Sequence, residues 1–143
     1  MPAKPVELAK SAEPGNPLAL ARSQKNTNLW TGVYTAAQAD RGQAAYHLYC
    51  RACHGDNLAG AQDPVGRAPS LRGEKVLGRK DVHNLFSYIR VWMPEDDRGS
   101  LDDRTVIDIV AYILNQNAFP AGAEELVADA ESLKQILIVK KPE

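Results

Sequence analysis

The sequence predicts an all-α protein whose helices share one main domain. Three segments carry helical patterning: 36–49, 82–92 and 100–115. The first contains no proline, and it follows Thr35, which has capping-box spacing with Gln38. The second places its apolar residues on one side, and the third is the most apolar helix of the chain. Because 143 residues fit a single domain, we expect these helices to pack around one core.

The run Cys50-Arg51-Ala52-Cys53-His54 follows the first helix and holds both cysteines of the chain. A Cys-x-x-Cys-His run is typical of c-type haem attachment. Two thiols on one helical turn can reach two vinyl groups along the same porphyrin edge, and the next residue can turn its imidazole under the iron. We therefore expect one haem c, attached covalently through Cys50 and Cys53, with His54 as an iron ligand.

Two other chemistries use closely spaced cysteines. A thioredoxin-like redox pair needs a strand before the motif and a βαβ surround, and no such strand precedes Cys50. A structural zinc site needs four ligands, usually from two paired knuckles. Only His47 and His83 are otherwise available, so the second knuckle is missing. Both alternatives stay open but are less favoured.

Charge is spread unevenly along the chain. Residues 41–90 carry a net charge of +4 and residues 95–143 a net charge of −6, against −1 overall. A nucleic-acid binder usually has a strong basic excess, so none is expected here. The polarised charge could orient a protein partner. The sequence contains no apolar run long enough for a membrane span and no signal peptide, and we expect that a leader has been removed.

The first part of the chain is punctuated by prolines. We expect residues 1–28 to form an irregular arm with a short helix possible at 18–22. Trp30 could cover a haem edge or pack on the core, and the core is favoured. In the first helix Gly42 and Tyr46 share a face. A glycine there suggests that another backbone approaches closely.

The middle of the chain supplies candidates for the environment of the iron. Residues 55–73 form a loop rich in Gly and Pro, and a backbone carbonyl near Pro69 is the candidate acceptor for the second ring nitrogen of His54. Asp81 caps the helix that ends at Met93-Pro94. Met93 is the only methionine besides Met1, and a thioether is a suitable sixth ligand for a haem iron.

The two remaining histidines and the last segments have simpler assignments. We take His47 as a surface or propionate-side residue and His83 as a partly exposed helix residue. Capping at Ser100 starts the last main helix, which is expected to cross the first helix, with Tyr112 in the contact. A further helix is expected at 123–137, and the apolar run 136–139 should pack somewhere.

These features, taken in order, resemble a class I c-type cytochrome of bacterial type over residues 35–117. The segments that carry the resemblance are Gly42, Tyr46, Cys50 to His54, Pro69 to Gly73, Met93-Pro94 and Val106 to Leu114. The resemblance implies helices wrapped around one haem, with His54 proximal, Met93 distal and a carbonyl from the Pro69 loop on the His54 ring. It also implies export before haem attachment.

The resemblance further implies a periplasmic one-electron carrier, rather than an enzyme, that exchanges electrons with redox proteins such as a dehydrogenase donor or an oxidase acceptor. We divide the chain into an arm (1–28), a cytochrome c domain (29–119) and a C-terminal extension (120–143) packing on that domain. The chain could be a free monomer. Two alternatives stay open: a tightly bound subunit or domain of a larger oxidoreductase, and a haem enzyme or gas sensor with an open sixth site.

Overall fold

A computed structural model describes residues 27–60 and 68–141. The protein is mostly helical, so the all-α prediction is confirmed. The helices are α1 Ala36–Tyr49, α2 Arg51–His54, α3 Glu74–Leu77, α4 Val82–Trp92, α5 Asp103–Gln116 and α6 Ala130–Lys134. Short strands lie at β1 Thr27–Asn28 and β2 Ile136–Leu137, and 3₁₀ turns at Leu29–Thr31 and Glu95–Asp97. No helix in these two ranges is long and apolar enough to cross a membrane.

The main helices begin at side-chain caps. Thr35 Oγ1 accepts a hydrogen bond of 3.0 Å from the backbone N–H of Gln38 at the start of α1. Asp81 caps α4 in the same way. The expected cap of α5 at Ser100 is wrong: Asp102 Oδ1 accepts from the Thr105 N–H at 2.8 Å. A carboxylate at an N-cap also complements the positive end of the helix dipole, which a serine cannot do.

The helices α1 and α5 cross in direct backbone contact, as predicted. A β-carbon at Gly42 would overlap the carbonyl oxygen of Asp108 and lie 2.9 Å from the β-carbon of Tyr112. One turn along α1, the Tyr46 and Tyr112 rings have centroids 5.3 Å apart and are tilted by 51°. The glycine therefore permits the close approach that places these two rings together.

The core is centred on α5. Its residues 106–114 are all buried. From α4, the side chains of Val82, Leu85, Phe86 and Ile89 are buried on one face. This is the apolar side that the sequence predicted.

The expected helix over 123–137 is wrong. Only α6 is helical there, and it is capped by Asp129, whose side chain accepts from the Ser132 N–H. The segment before α6 has no regular structure, and the buried side chain of Gln38 donates to Leu126 O and accepts from Leu126 N–H, so these backbone groups bond to α1 rather than within a helix. These bonds use the side chain that a full capping box at Thr35 would have needed.

The end of the chain forms a strand rather than a helix. β2 pairs in parallel with β1, with Thr27 opposite Ile136, so the irregular arm expected over 1–28 gains a strand at its end. Ile136 and Ile138 are buried while Leu137 and Val139 are about 40% exposed, the alternation typical of a strand. The expectation that this apolar run packs on the protein is confirmed. The helix suggested at 18–22 lies outside the described residues.

Trp30 packs on the core, which is the favoured of the two sequence interpretations. Its ring contacts Phe119 with centroids 4.5 Å apart. The indole N–H donates to the carbonyl oxygen of Val139 at 2.9 Å. These contacts join both ends of the described chain and leave the ring outside the cavity described below.

Candidate functional site

A cavity of about 590 Å³ lies between the Cys50–His54 turn, the end of α4 and one side of α5. Its size falls in the range of roughly 300–1,000 Å³ that is usual for cofactor sites. The side chains with distinctive chemistry that line it are Cys50, Cys53, His54 and Met93. The apolar part of the wall includes Ile89, Ile109 and Ile113. The structure therefore brings to one cavity the residues that sequence analysis singled out.

The cysteine motif forms a single helical turn, which is separated from α1 by an interruption of the helix at Cys50. α1 ends at Tyr49, and Cys50 leaves the helical conformation before α2 begins at Arg51. The His54 N–H donates to the Cys50 carbonyl oxygen at 3.0 Å. Just beyond the turn, the buried Tyr46 hydroxyl donates to Gly55 O at 2.6 Å. This bond fixes the motif relative to α1.

His54 is buried, with 7% of its surface exposed. Its Nδ1 lies 2.8 Å from the carbonyl oxygen of Pro69. A carbonyl oxygen can only accept a hydrogen bond, so Nδ1 carries the hydrogen and Nε2 keeps its lone pair. The atom pair is the one for which a hydrogen bond was expected. A metal-binding imidazole usually donates its other ring N–H to such an acceptor.

Met93 directly follows α4, and its N–H donates to Ile89 O at 3.1 Å. The residue is half-buried and contributes to the wall of the cavity. Pro94, which also lines the cavity, cannot supply a backbone N–H to continue the helix. The end of α4 thus delivers a thioether to the same cavity as the His54 imidazole.

The two cysteines are free thiols in this structure. Burial, with a smaller contribution from the nearby Cys53, raises the pKa of Cys50 to about 12. Redox-active Cys-x-x-Cys pairs have the opposite property, a thiol pKa lowered to about 7 or below. The environment of Cys50 therefore argues against a thioredoxin-like function.

The other histidines lie apart from the cavity. His47 is exposed on α1, as expected, and His83 is half-buried on α4. Neither contributes to the cavity wall. In the described part of the chain, no group of three or more His, Cys, Asp or Glu side chains is arranged to hold a metal ion. The second knuckle of a zinc site is therefore not supplied by these residues.

Sequence reasoning missed several residues around the cavity. The apolar side chains of Leu48, Tyr49 and Tyr88 line the cavity although each is at least 43% exposed. Large apolar side chains on the outer face of a helix beside the cysteine motif were the available signal. Sequence analysis also assigned no role to Arg72, which lies in the segment that carries Pro69 and donates to Asn57 O. It assigned none to Asn117, which donates to Leu71 O of that segment. No local pattern indicated those bonds.

The residues present fit a covalently attached haem. Two thiols on one turn, an imidazole with its lone pair available and a thioether surround a cavity whose wall is mainly apolar. Imidazole and thioether are the axial ligands found in cytochromes c. A flat apolar macrocycle would contact the isoleucines of α4 and α5.

Comparison with known proteins found a family model and a solved structure that match this chain. A family model described as cytochrome C oxidase, cbb3-type, subunit III matches residues 37–113, more than half of the chain. A crystal structure of the sulfane dehydrogenase SoxCD from Paracoccus pantotrophus matches with a TM-score of 0.49 and 20% sequence identity over 88% of this chain. This chain spans 66% of the length of that one. None of the curated proteins matches at a significant level.

Proposed function

Because the chain belongs to the cytochrome c family described as cytochrome C oxidase, cbb3-type, subunit III, we propose that it is a one-electron carrier with one haem c. The observation that carries the proposal is the shared cavity of Cys50, Cys53, His54 and Met93. A haem bound there supplies an iron that alternates between Fe(II) and Fe(III). Electron transfer is the role that this family implies.

Each residue of the set has one function in the proposal. Cys50 and Cys53 would hold the haem through thioethers, and His54 would bind its iron. Pro69 orients the His54 ring by accepting its Nδ1 hydrogen. Met93 would supply a second ligand to the iron. His/Met ligation raises the reduction potential, which suits a carrier of respiratory electrons.

The surrounding protein would also keep other molecules away from the iron. With both axial positions filled by side chains, oxygen and peroxide have no open site on the metal. Ile89, Ile109 and Ile113 give the inner wall of the cavity an apolar surface that disfavours water. At its mouth, Leu48 is 76% exposed and Tyr88 43% exposed. In this proposal electrons enter and leave the haem near Leu48 and Tyr88, and the chain rearranges little.

We propose that this mouth contacts redox proteins, namely a dehydrogenase donor or an oxidase acceptor. Val91 and Trp92 at the end of α4 add further exposed apolar surface. Redox encounters are usually brief and bury less than about 1,200 Å². Cytochrome c domains are typically extracytoplasmic, and we place this chain in the periplasm. Residues 29–119 form the haem domain in this proposal, and the segment 120–143 stabilises it.

Absorption spectra of the purified protein, oxidised and reduced, with a pyridine haemochrome assay, test the proposal. We expect one haem c per chain, low-spin spectra in both states and no change on adding carbon monoxide. A high-spin ferric spectrum with ready binding of cyanide or carbon monoxide would instead indicate an open sixth site, as in a haem enzyme or gas sensor.

A further inference from the structure

The carbonyl of Pro69 lies in a segment without regular structure, between residue 68 and the start of α3. A hydrogen bond to an imidazole orients the ring only if the acceptor is itself held in place. On the inner side, the Leu71 N–H donates to Leu58 O at 2.8 Å. Gly60 also approaches closely, since a β-carbon there would lie 2.6 Å from the Pro69 carbonyl carbon.

On the outer side, Arg72 connects three parts of the chain. Its Nε donates to the carbonyl oxygen of Asn57 at 2.6 Å. Its Nη1 donates to the carbonyl oxygen of Gln116 at 2.8 Å, and Nη2 donates to the Gln116 side-chain oxygen at 3.2 Å. One guanidinium therefore joins the loop after His54, the segment after Pro69 and the last turn of α5.

Asn117, at the end of α5, adds further hydrogen bonds to this junction between the Pro69 segment and α5. Its side-chain amide donates to Leu71 O at 3.0 Å and to Ile113 O at 2.8 Å. Its side-chain oxygen accepts from the Gly73 N–H at 3.2 Å. The peptide units on both sides of Arg72 are thus bound to α5.

The positive charge of Arg72 lies at the C-terminal end of α5, which carries partial negative charge. Gln116 is the last residue of α5, where the final carbonyl groups lack partners within the helix and carry partial negative charge. A planar guanidinium presents its donors in a fixed fork, here toward the carbonyl oxygen and the side-chain oxygen of Gln116, whereas an ammonium group lacks this fixed geometry. Because α5 also contributes Ile109 and Ile113 to the cavity, the junction ties the Pro69 segment to a rigid part of the cavity wall.

We propose that Arg72 is a positioning residue for the iron ligand: it holds the Pro69 carbonyl against His54 Nδ1 by anchoring the segment 69–73 to the end of α5. This inference rests on the proposed function and extends it to a residue outside the cavity. The Nδ1–H bond makes the imidazole a stronger donor to the metal. A looser bond should therefore favour Fe(II) and raise the reduction potential.

The test compares the haem-loaded wild type with Arg72→Met, Arg72→Lys and the control Arg104→Met. The control removes the same charge from an exposed arginine on α5 whose ion pair with Asp108 spans 3.7 Å. Two quantities are measured: hydrogen exchange of His54 Nδ1–H by NMR of the reduced, nitrogen-15-labelled protein, and the midpoint potential. For Arg72→Met we expect exchange about tenfold faster, the factor for losing one good hydrogen bond, and a raised potential.

Arg72→Lys should give an exchange rate and a potential between those of the wild type and Arg72→Met, because lysine keeps the positive charge but lacks the planar guanidinium. Equal exchange rates and potentials in Arg72→Met and Arg104→Met would overturn the inference. If Arg72→Met does not accumulate as folded protein, Arg72→Lys is compared with Arg104→Met instead, and equal values again overturn it. The proposed function fails separately, if the wild type itself shows no reversible haem couple.

Discussion

Gly42 on α1 lies directly against the carbonyl oxygen of Asp108 on α5, with no room for a β-carbon between the two backbones. This contact sets the separation of the two 14-residue helices. It also brings Tyr46 against Tyr112 and so fixes the Tyr46 hydroxyl on Gly55 O, beside the cysteine motif. The position of the Cys50–His54 turn therefore depends on a residue with no side chain.

Replacing Gly42 by Ala should destabilise the protein by about 2 kcal/mol. Alanine gains about 1 kcal/mol of helix propensity, but this overlap should cost about 3 kcal/mol, the upper end of the usual range for overpacking. The overlapping atoms are backbone and cannot rotate away. Urea denaturation measures the change, with Gln43→Ala on the exposed face as the control, expected within about 0.5 kcal/mol. A Gly42→Ala protein as stable as the control would contradict this packing.

Much of this arrangement could be predicted from sequence because it depends on local signals. Thr35 and Asp81 gave the helix starts, and Gly42 indicated the crossing. The motif at Cys50 is equally local, since its two cysteines and its histidine lie within five consecutive residues. Met93 could be placed because a proline ends its helix at a lone methionine.

The errors arise where distant residues decide the local structure. The segment 123–129 has helical composition, but the side chain of Gln38 bonds to both backbone groups of Leu126, which are then unavailable for helical hydrogen bonds. β2 forms because β1 is available to pair with it, more than a hundred residues earlier. The bonds of Arg72 to Gln116 likewise join residues 44 positions apart. Such contacts leave no pattern in a short stretch of sequence.

Replacing Met93 by His should lower the midpoint potential by on the order of 0.1 V, within the roughly 0.8 V range that axial ligands set. Imidazole stabilises Fe(III) better than a thioether does. Potentiometric titration measures the change. Val91→His is the control, since Val91 is 53% exposed and does not line the cavity. Equal potentials in the two variants would exclude Met93 as an iron ligand.

The C-terminal extension should contribute to stability through its buried side chains. Leu133 is fully buried, whereas Leu137 is 41% exposed. Leu133→Ala should lower the free energy of unfolding by about 2–5 kcal/mol, and Leu137→Ala by less than about 1 kcal/mol. Denaturation in urea distinguishes them. Similar small losses would mean that the extension does not pack on the helices.

Glu125 should stabilise the protein in a pH-dependent way. The Arg41 guanidinium, 2.6 Å away, lowers the pKa of Glu125. A carboxyl with a lowered folded pKa stabilises above its unfolded pKa of about 4.3, and this contribution is lost as the pH falls through the folded value. The pair is partly exposed, so Glu125→Gln should cost less than about 1 kcal/mol at neutral pH.

The difference between wild type and Glu125→Gln should shrink as the pH falls from 7 to about 3. Denaturation in urea at several pH values measures it. Glu131→Gln serves as the control, because Glu131 is 83% exposed and its pair with Lys134 spans 3.7 Å. A difference that stays constant with pH would show that the ionised Glu125 does not stabilise the fold.

Intact-mass spectrometry of the natively exported protein, under denaturing conditions, tests most directly whether the chain carries a covalent haem. For the wild type we predict the chain mass plus one haem, retained after acid extraction. For the double variant with Cys50 and Cys53 replaced by Ser we predict the chain mass alone. A wild-type protein whose mass equals that of the bare polypeptide would contradict the account.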